Sequence, residues 1–306
     1  MKYNNALVTG GAGFIGSHLV DRLVEDGLAV TVIDNLQAGK LENLEDARDK
    51  ITFVKGDVKD VELLKRILQG IDIVFILGAN ASVPYSVENP RYDFETNALG
   101  TFNVLEASIN SDVKKVVYAS SAAVYGEPEY TPMDEKHPMH PISPYGASKL
   151  AGETTGMAFK ETYGLNFASI RIFNTYGPRQ PRYVMYDFIM KLRKNQKKLN
   201  VLGTGEQVRD YCYVSDMVDA FMLVAEKGDD IYNAAGGVPT SIRELAELMV
   251  SEISPGAEIQ YGGKTWKGDI NTLIADITKL KNLGFAPKVD LRNGVKRMIE
   301  WFEEKN

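Results

Sequence analysis

Short apolar runs alternate with amphipathic stretches along the first half of the chain. Ala6-Leu7-Val8-Thr9, Ala29-Val30-Thr31-Val32-Ile33, Ile51-Thr52-Phe53-Val54, residues 71–77, Lys115-Val116-Val117-Tyr118-Ala119 and residues 165–171 are rich in apolar and β-branched residues and too short for helices. That pattern predicts strands buried on both faces. Between them, apolar positions recur at helical spacing. Ile15, Leu19 and Leu23 would face inward in a helix over residues 14–25, and helices are expected over 61–68, 92–109 and from Ser143 or Pro144 onward. Strand and helix in alternation predict a parallel sheet with helices on both faces, an α/β, doubly wound fold. After residue 172 the alternation becomes irregular. A helix over 183–193, a strand over 199–202, a capped helix opening at Thr240-Ser241-Ile242-Arg243-Glu244, a strand over 257–261 and a last amphipathic helix over 291–302 are expected. The expected division is a doubly wound domain over 1–173 and, over 174–306, mainly a smaller mixed α/β cap interleaved with it.

Composition adds exclusions. The 306 residues are 44% apolar and 25% charged, with a net charge of −6, which argues against a nucleic-acid surface but leaves room for a local basic pocket. Cys212 is the only cysteine and cannot form an intrachain disulfide, and no Cys/His cluster has metal-ligand spacing, so no metal is expected. His137 and His140 fall in a Pro-rich loop and are expected to face solvent. The N-terminus leads into the first strand without a signal-peptide pattern, and the apolar run at 71–79 is interrupted by Asp72 and far too short for a bilayer. A cytoplasmic protein with no membrane partner is expected.

The first strand ends in Gly10-Gly11-Ala12-Gly13-Phe14-Ile15-Gly16, a helix follows, and the second strand ends in Asp34. Strand, glycine-rich turn, helix, strand and acid in this order form a dinucleotide-binding unit. The glycines permit a tight turn and close backbone approach, and the helix N-terminus faces a pyrophosphate. Asp34 would hydrogen-bond the adenosine ribose hydroxyls and repel a 2′-phosphate, which favours NAD over NADP. After the fourth strand, Gly78-Ala79-Asn80-Ala81-Ser82-Val83 supplies small residues beside which a cofactor can lie. Tyr145 and Lys149 stand at i and i+4 in the helix expected from Pro144, and an ammonium beside a phenol favours the phenolate. Among 15 tyrosines such a spacing arises by chance about once, so the pair gains meaning only from its surroundings.

The Gly-x-x-Gly-x-x-Gly spacing at 10, 13 and 16, the segment Ser120-Ser121-Ala122-Ala123-Val124-Tyr125-Gly126, Tyr145 with Lys149, residues 172–180 (Ile172-Phe173-Asn174-Thr175-Tyr176-Gly177-Pro178-Arg179-Gln180) and Arg209-Asp210-Tyr211 occur in the order found in one family. Over nearly its whole length the chain resembles the extended short-chain dehydrogenases/reductases, the NAD-dependent nucleotide-sugar epimerases and dehydratases. The resemblance implies a Rossmann fold with bound NAD, lined by Gly10, Gly13, Phe14, Ile15, Gly16, Asp34, Asn35, Gly39, Asp57 at the adenine amino group, Val58, Leu77, Gly78, Ala79, Asn97, Ala119, Tyr145, Lys149 and Phe173. It implies a nucleoside-diphosphate sugar held by Ser82, Val83, Ser121, Ala122, Tyr145, Asn174, Val201, Arg209 on the diphosphate, Tyr211, Asp269 and Leu273. The catalytic triad would be Ser121, Tyr145 and Lys149, with Lys149 lowering the tyrosine pKa.

Family members that eliminate water carry an Asp and a Glu directly after the triad Ser/Thr, where this chain has Ala122 and Ala123. Alanine cannot transfer protons, which disfavours a 4,6-dehydratase. The expectation is a UDP-hexose 4-epimerase of the UDP-glucose/UDP-galactose kind, working through a transient 4-keto sugar. Three positions depart from the family pattern. Trp266-Lys267-Gly268-Asp269 replaces Arg-x-Gly-Asp, leaving Lys264 or Lys267 as substitutes, and the loop after Gln180 is short. Leu273 stands where some epimerases carry a tyrosine, leaving room for N-acetylhexosamines. A homodimer through the helices over 92–109 and 144–162 is implied. The alternatives are an epimerase or reductase of another nucleotide sugar and a non-catalytic NAD-binding sensor or scaffold.

Overall fold

The computed structural model describes residues 2–263 and 270–305. Its centre is a seven-stranded sheet, parallel throughout, built from β1 (Asn5–Thr9), β2 (Ala29–Asp34), β3 (Ile51–Lys55), β4 (Ile73–Ile76), β5 (Lys115–Ser121), β6 (Phe167–Ile172) and, past three cap strands, β10 (Ile231–Ala234). The spatial order is β10-β6-β5-β4-β1-β2-β3. The chain runs outward from β1 to β3, then returns to place β4 on the other side of β1. In sheets of this kind, ligands bind beyond the strand ends at such a reversal.

Alternate residues of one strand enter different cores. Val8, Val32, Phe75 and Val117 pack with Leu19 and Leu23 of the helix Phe14–Glu25 and with Phe221 and Val224 of the helix Val214–Lys227. Leu7, Ile33, Val74 and Val116 pack on the other face with Leu64, Val104 and Leu105 of the helices Val61–Ile67 and Gly100–Ile109. This two-sided burial is why the strands read as continuous apolar runs. Helix Pro144–Tyr163 also lies on that second face, over β5 and β6. Its backbone comes so close that a Cβ on Gly156 would meet the Phe167 ring at 2.2 Å, and one on Gly152 the Tyr118 hydroxyl at 2.6 Å.

The remaining strands form two small sheets. Strand β9 (Val208–Tyr213) pairs with β7 (Asn174–Tyr176), β11 (Pro239–Ser241) and β13 (Thr272–Leu273), and β8 (Lys198–Val201) pairs with β12 (Glu258–Tyr261). The helices Val184–Lys194, Ile242–Ile253 and Leu291–Lys305 close a third core around Phe188, Leu192, Leu245, Met249, Val295 and Met298. The cap helix at Ile242 begins with the capping box expected from Ser241 and Glu244.

Three expectations need correction. The helix over 92–109 is interrupted: Pro90–Phe94 and Gly100–Ile109 are α-helical, with a π-helical turn at Glu95–Leu99 between them. Strand β10 and the helix Val214–Lys227, which carry the C-terminal half into the central sheet, escaped the reading of periodicity. His137 is buried rather than solvent-facing, its ring contacting the Glu129 amide and the Pro138 carbonyl oxygen, whereas His140 is exposed.

Candidate active site

A cavity of ≈ 1220 Å³ opens along the C-terminal ends of β1, β2, β4, β5 and β6 and continues under the cap. Its first part is a dinucleotide cradle. The helix Phe14–Glu25 starts at Gly13 without a side-chain cap, leaving its N-terminus to the cavity. Gly10 has φ 68°, and a Cβ there would stand 2.6 Å from the Gly78 Cα; one on Gly16 would stand 2.3 Å from the Gly10 carbonyl oxygen. The turn therefore demands glycine on steric grounds. Thr9 Oγ1 accepts from the Leu77 and Gly78 amides at 3.2 and 3.0 Å, tying this turn to the segment after β4.

Asp34 accepts from the Ala12 amide at 3.0 Å and the Leu36 amide at 2.8 Å, which fix its carboxylate on the wall. Burial raises its pKa and the two amides oppose the rise. Asn35 donates to Asp57 at 3.0 Å, and Gly39 passes so near that a Cβ would stand 2.8 Å from Asp34 Oδ2. Val58, Leu77, Ala79, Ala119 and Phe173 complete this stretch, together with Phe14 and Ile15. The residues fit a dinucleotide without a 2′-phosphate. Among the described residues no group of three or more His, Cys, Asp or Glu could hold a metal ion.

Helix Pro144–Tyr163, capped by Ser143 Oγ at 3.1 Å from the Gly146 amide, brings Tyr145 and Lys149 to the middle of the cavity, opposite Ser121 at the end of β5. Burial drives the Tyr145 phenol well above its ordinary pKa; nearby Tyr183 and Asp93 add to the rise, while a hydrogen bond with Ser121 and the charge of Arg182 oppose it. Lys149 Nζ donates to the Ala119 carbonyl oxygen at 2.8 Å and lies 5.1 Å from the centroid of the Tyr118 ring. Burial lowers its pKa to about 8, with Asp93 pulling the other way. Ser121 and Arg182 are the groups that draw the Tyr145 phenol down here.

Beyond the triad the cavity is walled by Ser82, Val83, Ala122, Asn174, Val201, Arg209, Tyr211 and Leu273. Arg209 donates to the Val208 and Asn271 carbonyl oxygens at 2.9 and 3.1 Å, which hold its guanidinium at the wall. Leu273 stands opposite Arg209 across the β13–β9 pairing. Asn174 Oδ1, Gln180 Oε1 and Gln207 Oε1 are buried acceptors on this wall without a hydrogen-bond partner among the described residues, and they suit a ligand that brings hydroxyl or N–H donors.

Among the described residues, every residue expected at the site lines this cavity except Asn97. Asn97 is fully buried behind the wall, where its side chain bonds Asn80, Asp93 and Ser148; it supports the site rather than facing it. Asp269, with Trp266, Lys264 and Lys267, lies outside the described residues. Sequence reading missed Tyr183 and Gln207. Tyr183, at φ 78°, donates to the Ala81 carbonyl oxygen at 2.6 Å across the cavity, and only its place just after the Gln180 signature hinted at it.

Comparison with known proteins agrees with this geometry. Residues 7–298 match the family model described as GDP-mannose 4,6 dehydratase. The putative UDP-glucose 4-epimerase of Methanocaldococcus jannaschii is 41% identical, over 98% of this chain and 99% of that one. A dTDP-glucose 4,6-dehydratase of Streptomyces antibioticus is 32% identical over 98% and 92%. Among solved structures, UDP-glucose 4-epimerase of Thermotoga maritima with UDP-glucose superposes with a TM-score of 0.93 at 40% identity, covering 98% of this chain and 99% of that one. UDP-N-acetylglucosamine 4-epimerase of Methanobrevibacter ruminantium, in complex with UDP-N-acetylmuramic acid, gives 0.94 at 37%, with full coverage of both chains. The UDP-glucose 4-epimerase of Thermus thermophilus in complex with NAD gives 0.88 at 35%, over 98% and 99%. The glycine cradle, the Ser121-Tyr145-Lys149 constellation and these similarities along almost the whole chain place the protein in the extended short-chain dehydrogenase/reductase family of nucleotide-sugar epimerases and dehydratases.

Proposed function

We propose that the protein is an NAD-dependent 4-epimerase of UDP-hexoses, interconverting UDP-glucose and UDP-galactose and accepting the N-acetylated pair. The observation that carries this reading is the composition of the wall beside Tyr145. The residues after Ser121 are Ala122 and Ala123, and both line the cavity. The other acids on the described wall stand elsewhere: Asp34 and Asp57 in the dinucleotide part, and Asp187 paired with Lys191 on a cap helix at 2.6 Å. Elimination of water needs further proton donors and acceptors at the sugar, and these are lacking among the described residues there; epimerisation at one carbon needs a single group that takes and returns a proton.

NAD, held by the cradle, would supply the hydride acceptor and donor for sugar C4. Ser121 orients the C4 oxygen. With the positive charges of Lys149 and of bound NAD offsetting the rise that burial causes, Tyr145 as phenolate would take the hydroxyl proton as the C4 hydride departs and give it back when hydride returns to the opposite face of the 4-keto sugar. Lys149, anchored on the Ala119 carbonyl, keeps a positive charge under the reacting groups. Arg209 would hold the diphosphate, for which a planar guanidinium is suited, while the sugar turns about it. Similarity to an epimerase bound to UDP-glucose and to one named for UDP-N-acetylglucosamine supports the uridine nucleotide and the wider sugar range.

The test is incubation of the purified protein with UDP-, dTDP-, CDP- and GDP-sugars and separation of the products. UDP-galactose should give UDP-glucose, and Tyr145→Phe should lose nearly all turnover. Release of a 4-keto-6-deoxy sugar would assign a dehydratase instead, and conversion of only non-uridine sugars would move the substrate.

A further inference from the structure

Behind the cavity wall, Asp93 is fully buried on the short helix Pro90–Phe94. Its Oδ1 accepts from Asn80 Nδ2 at 2.7 Å and Asn97 Nδ2 at 3.1 Å, and its Oδ2 accepts from Ser148 Oγ at 2.7 Å. All three donors are neutral, and among the described residues no ion pair includes Asp93. Burying a carboxylate with neutral donors alone is costly. An asparagine could keep much of the same hydrogen-bond pattern without that cost, so the charge calls for its own explanation.

The three donors belong to the parts that must be held together for catalysis. Asn80 lies in the segment 78–82 that walls the cavity, and Asn97 clamps its backbone from both sides, accepting from the Asn80 amide at 2.7 Å and donating to its carbonyl oxygen at 3.0 Å. Ser148 lies between Tyr145 and Lys149 in sequence and also donates to the Tyr145 carbonyl oxygen at 3.0 Å. The π-helical turn Glu95–Leu99 begins two residues after Asp93, and Asn97 lies within it. Insertions of this kind are frequent at functional sites.

We propose that Asp93 is a positioning residue for the catalytic pair: its carboxylate locks the wall at 78–82 onto the helical turn that carries Tyr145 and Lys149, and its charge balances the Lys149 ammonium. The other groups around Lys149 do not provide that balance. From β5 come the Ala119 carbonyl oxygen and the neutral Tyr118 ring. On its own helix, Glu153 is bound to Arg171 at 2.6 Å. From the cap, Tyr183 and Arg182 face Tyr145, and Arg182 is itself a cation. Asp93 is the acid that raises the Lys149 pKa against burial, and it raises the Tyr145 pKa as well.

The proposal rests on the reading of Tyr145 and Lys149 as the catalytic pair, and its test separates the two. Asp93→Asn keeps the shape and removes the charge. The Lys149 Cε resonance, observed in protein carrying 13C-lysine and assigned with Lys149→Met, titrates whether or not a sugar is turned over. In Asp93→Asn its midpoint should fall by about one unit or more, the alkaline limb of kcat should move by the same amount, and kcat should fall about tenfold with KM little changed. A folded Asp93→Asn protein with the Lys149 midpoint and the kcat profile of wild type overturns the proposal. Absence of wild-type turnover on UDP-galactose would sink the epimerase reading while leaving the Lys149 titration to decide this one. If Asp93→Asn does not fold, Ser148→Ala decides. It keeps the charge and cuts the tether, so kcat should drop with both limbs in place; unchanged kcat, or a shifted alkaline limb, overturns the proposal.

Discussion

Lys149 is a cation held where water is nearly excluded, and burial lowers its pKa to about 8. Its protonated form is complete well below that value and is lost as pH rises through it. If turnover needs the ammonium, kcat should decline as pH passes about 8; a profile level to pH 10 would show that the charge is dispensable. Under the proposed function, Leu273 would bear on the choice of sugar. It is half-buried on the cavity wall beside Arg209, and a tyrosine there would fill space next to the sugar. Leu273→Tyr is expected to abolish conversion of UDP-GlcNAc while leaving UDP-galactose turnover within about threefold, since pocket crowding acts on the larger substrate. Equal losses on both sugars would show that Leu273 does not select between them. Residues of this kind were legible in the sequence because their chemistry depends on residue type at fixed local spacing: the glycines at 10, 13 and 16, Asp34, and Tyr145 with Lys149. Asp93 and Tyr183 were not. Asp93 acts through Ser148, 55 positions away, and Tyr183 through Ala81, 102 positions away, and no local pattern encodes such partners.

At the scale of elements, the catalytic helix owes its place to what it lacks. Gly152 and Gly156 let Pro144–Tyr163 lie directly on Tyr118 and Phe167, so the height of Tyr145 and Lys149 above the sheet is set by two missing methyl groups. Gly156→Ala is expected to destabilise the protein by about 1–3 kcal/mol through overpacking, which would outweigh the better helix propensity of alanine. Urea unfolding measures this, and a more stable variant would contradict it. The same helix is fixed deeper down by Glu153 and Arg171, both with 1% exposed side chains, and Arg171 continues to Tyr125 and from there to Asn233 of β10. That network explains why β10 was hidden in the sequence. Asn233 interrupts a four-residue run, yet its side chain is consumed by Tyr125, Met133 and Asp276. The buried strands β1, β2, β4, β5 and β6 were legible because both their faces are covered by apolar side chains. The two- and three-residue strands of the cap take their register from β9, and nothing within them announces it.

For the whole molecule, one surface remains to be accounted for. Phe94, Leu99, Phe102 and Tyr163 are exposed on the helices Pro90–Phe94, Gly100–Ile109 and Pro144–Tyr163 and on the π-turn between the first two. We propose that this face is covered by a second copy of the chain. Light scattering should give the mass of a dimer, and Phe102→Lys with Tyr163→Lys should halve it. A monomeric wild-type mass would remove this assignment.

Strand order has a consequence for how the molecule comes into being. Strand β1 is paired on both sides only when β4 arrives, more than sixty residues later, and β6 keeps an open edge until β10 has been made. Contacts so distant in sequence close slowly. On the ribosome, a nascent chain that has passed Ile172 but not yet reached Ala234 carries Ser121, Tyr145 and Lys149 on a sheet with an unfinished apolar edge. Such an edge is a template for association with another chain. The interval between β6 and β10 is therefore one in which the growing chain stands open to association with another chain.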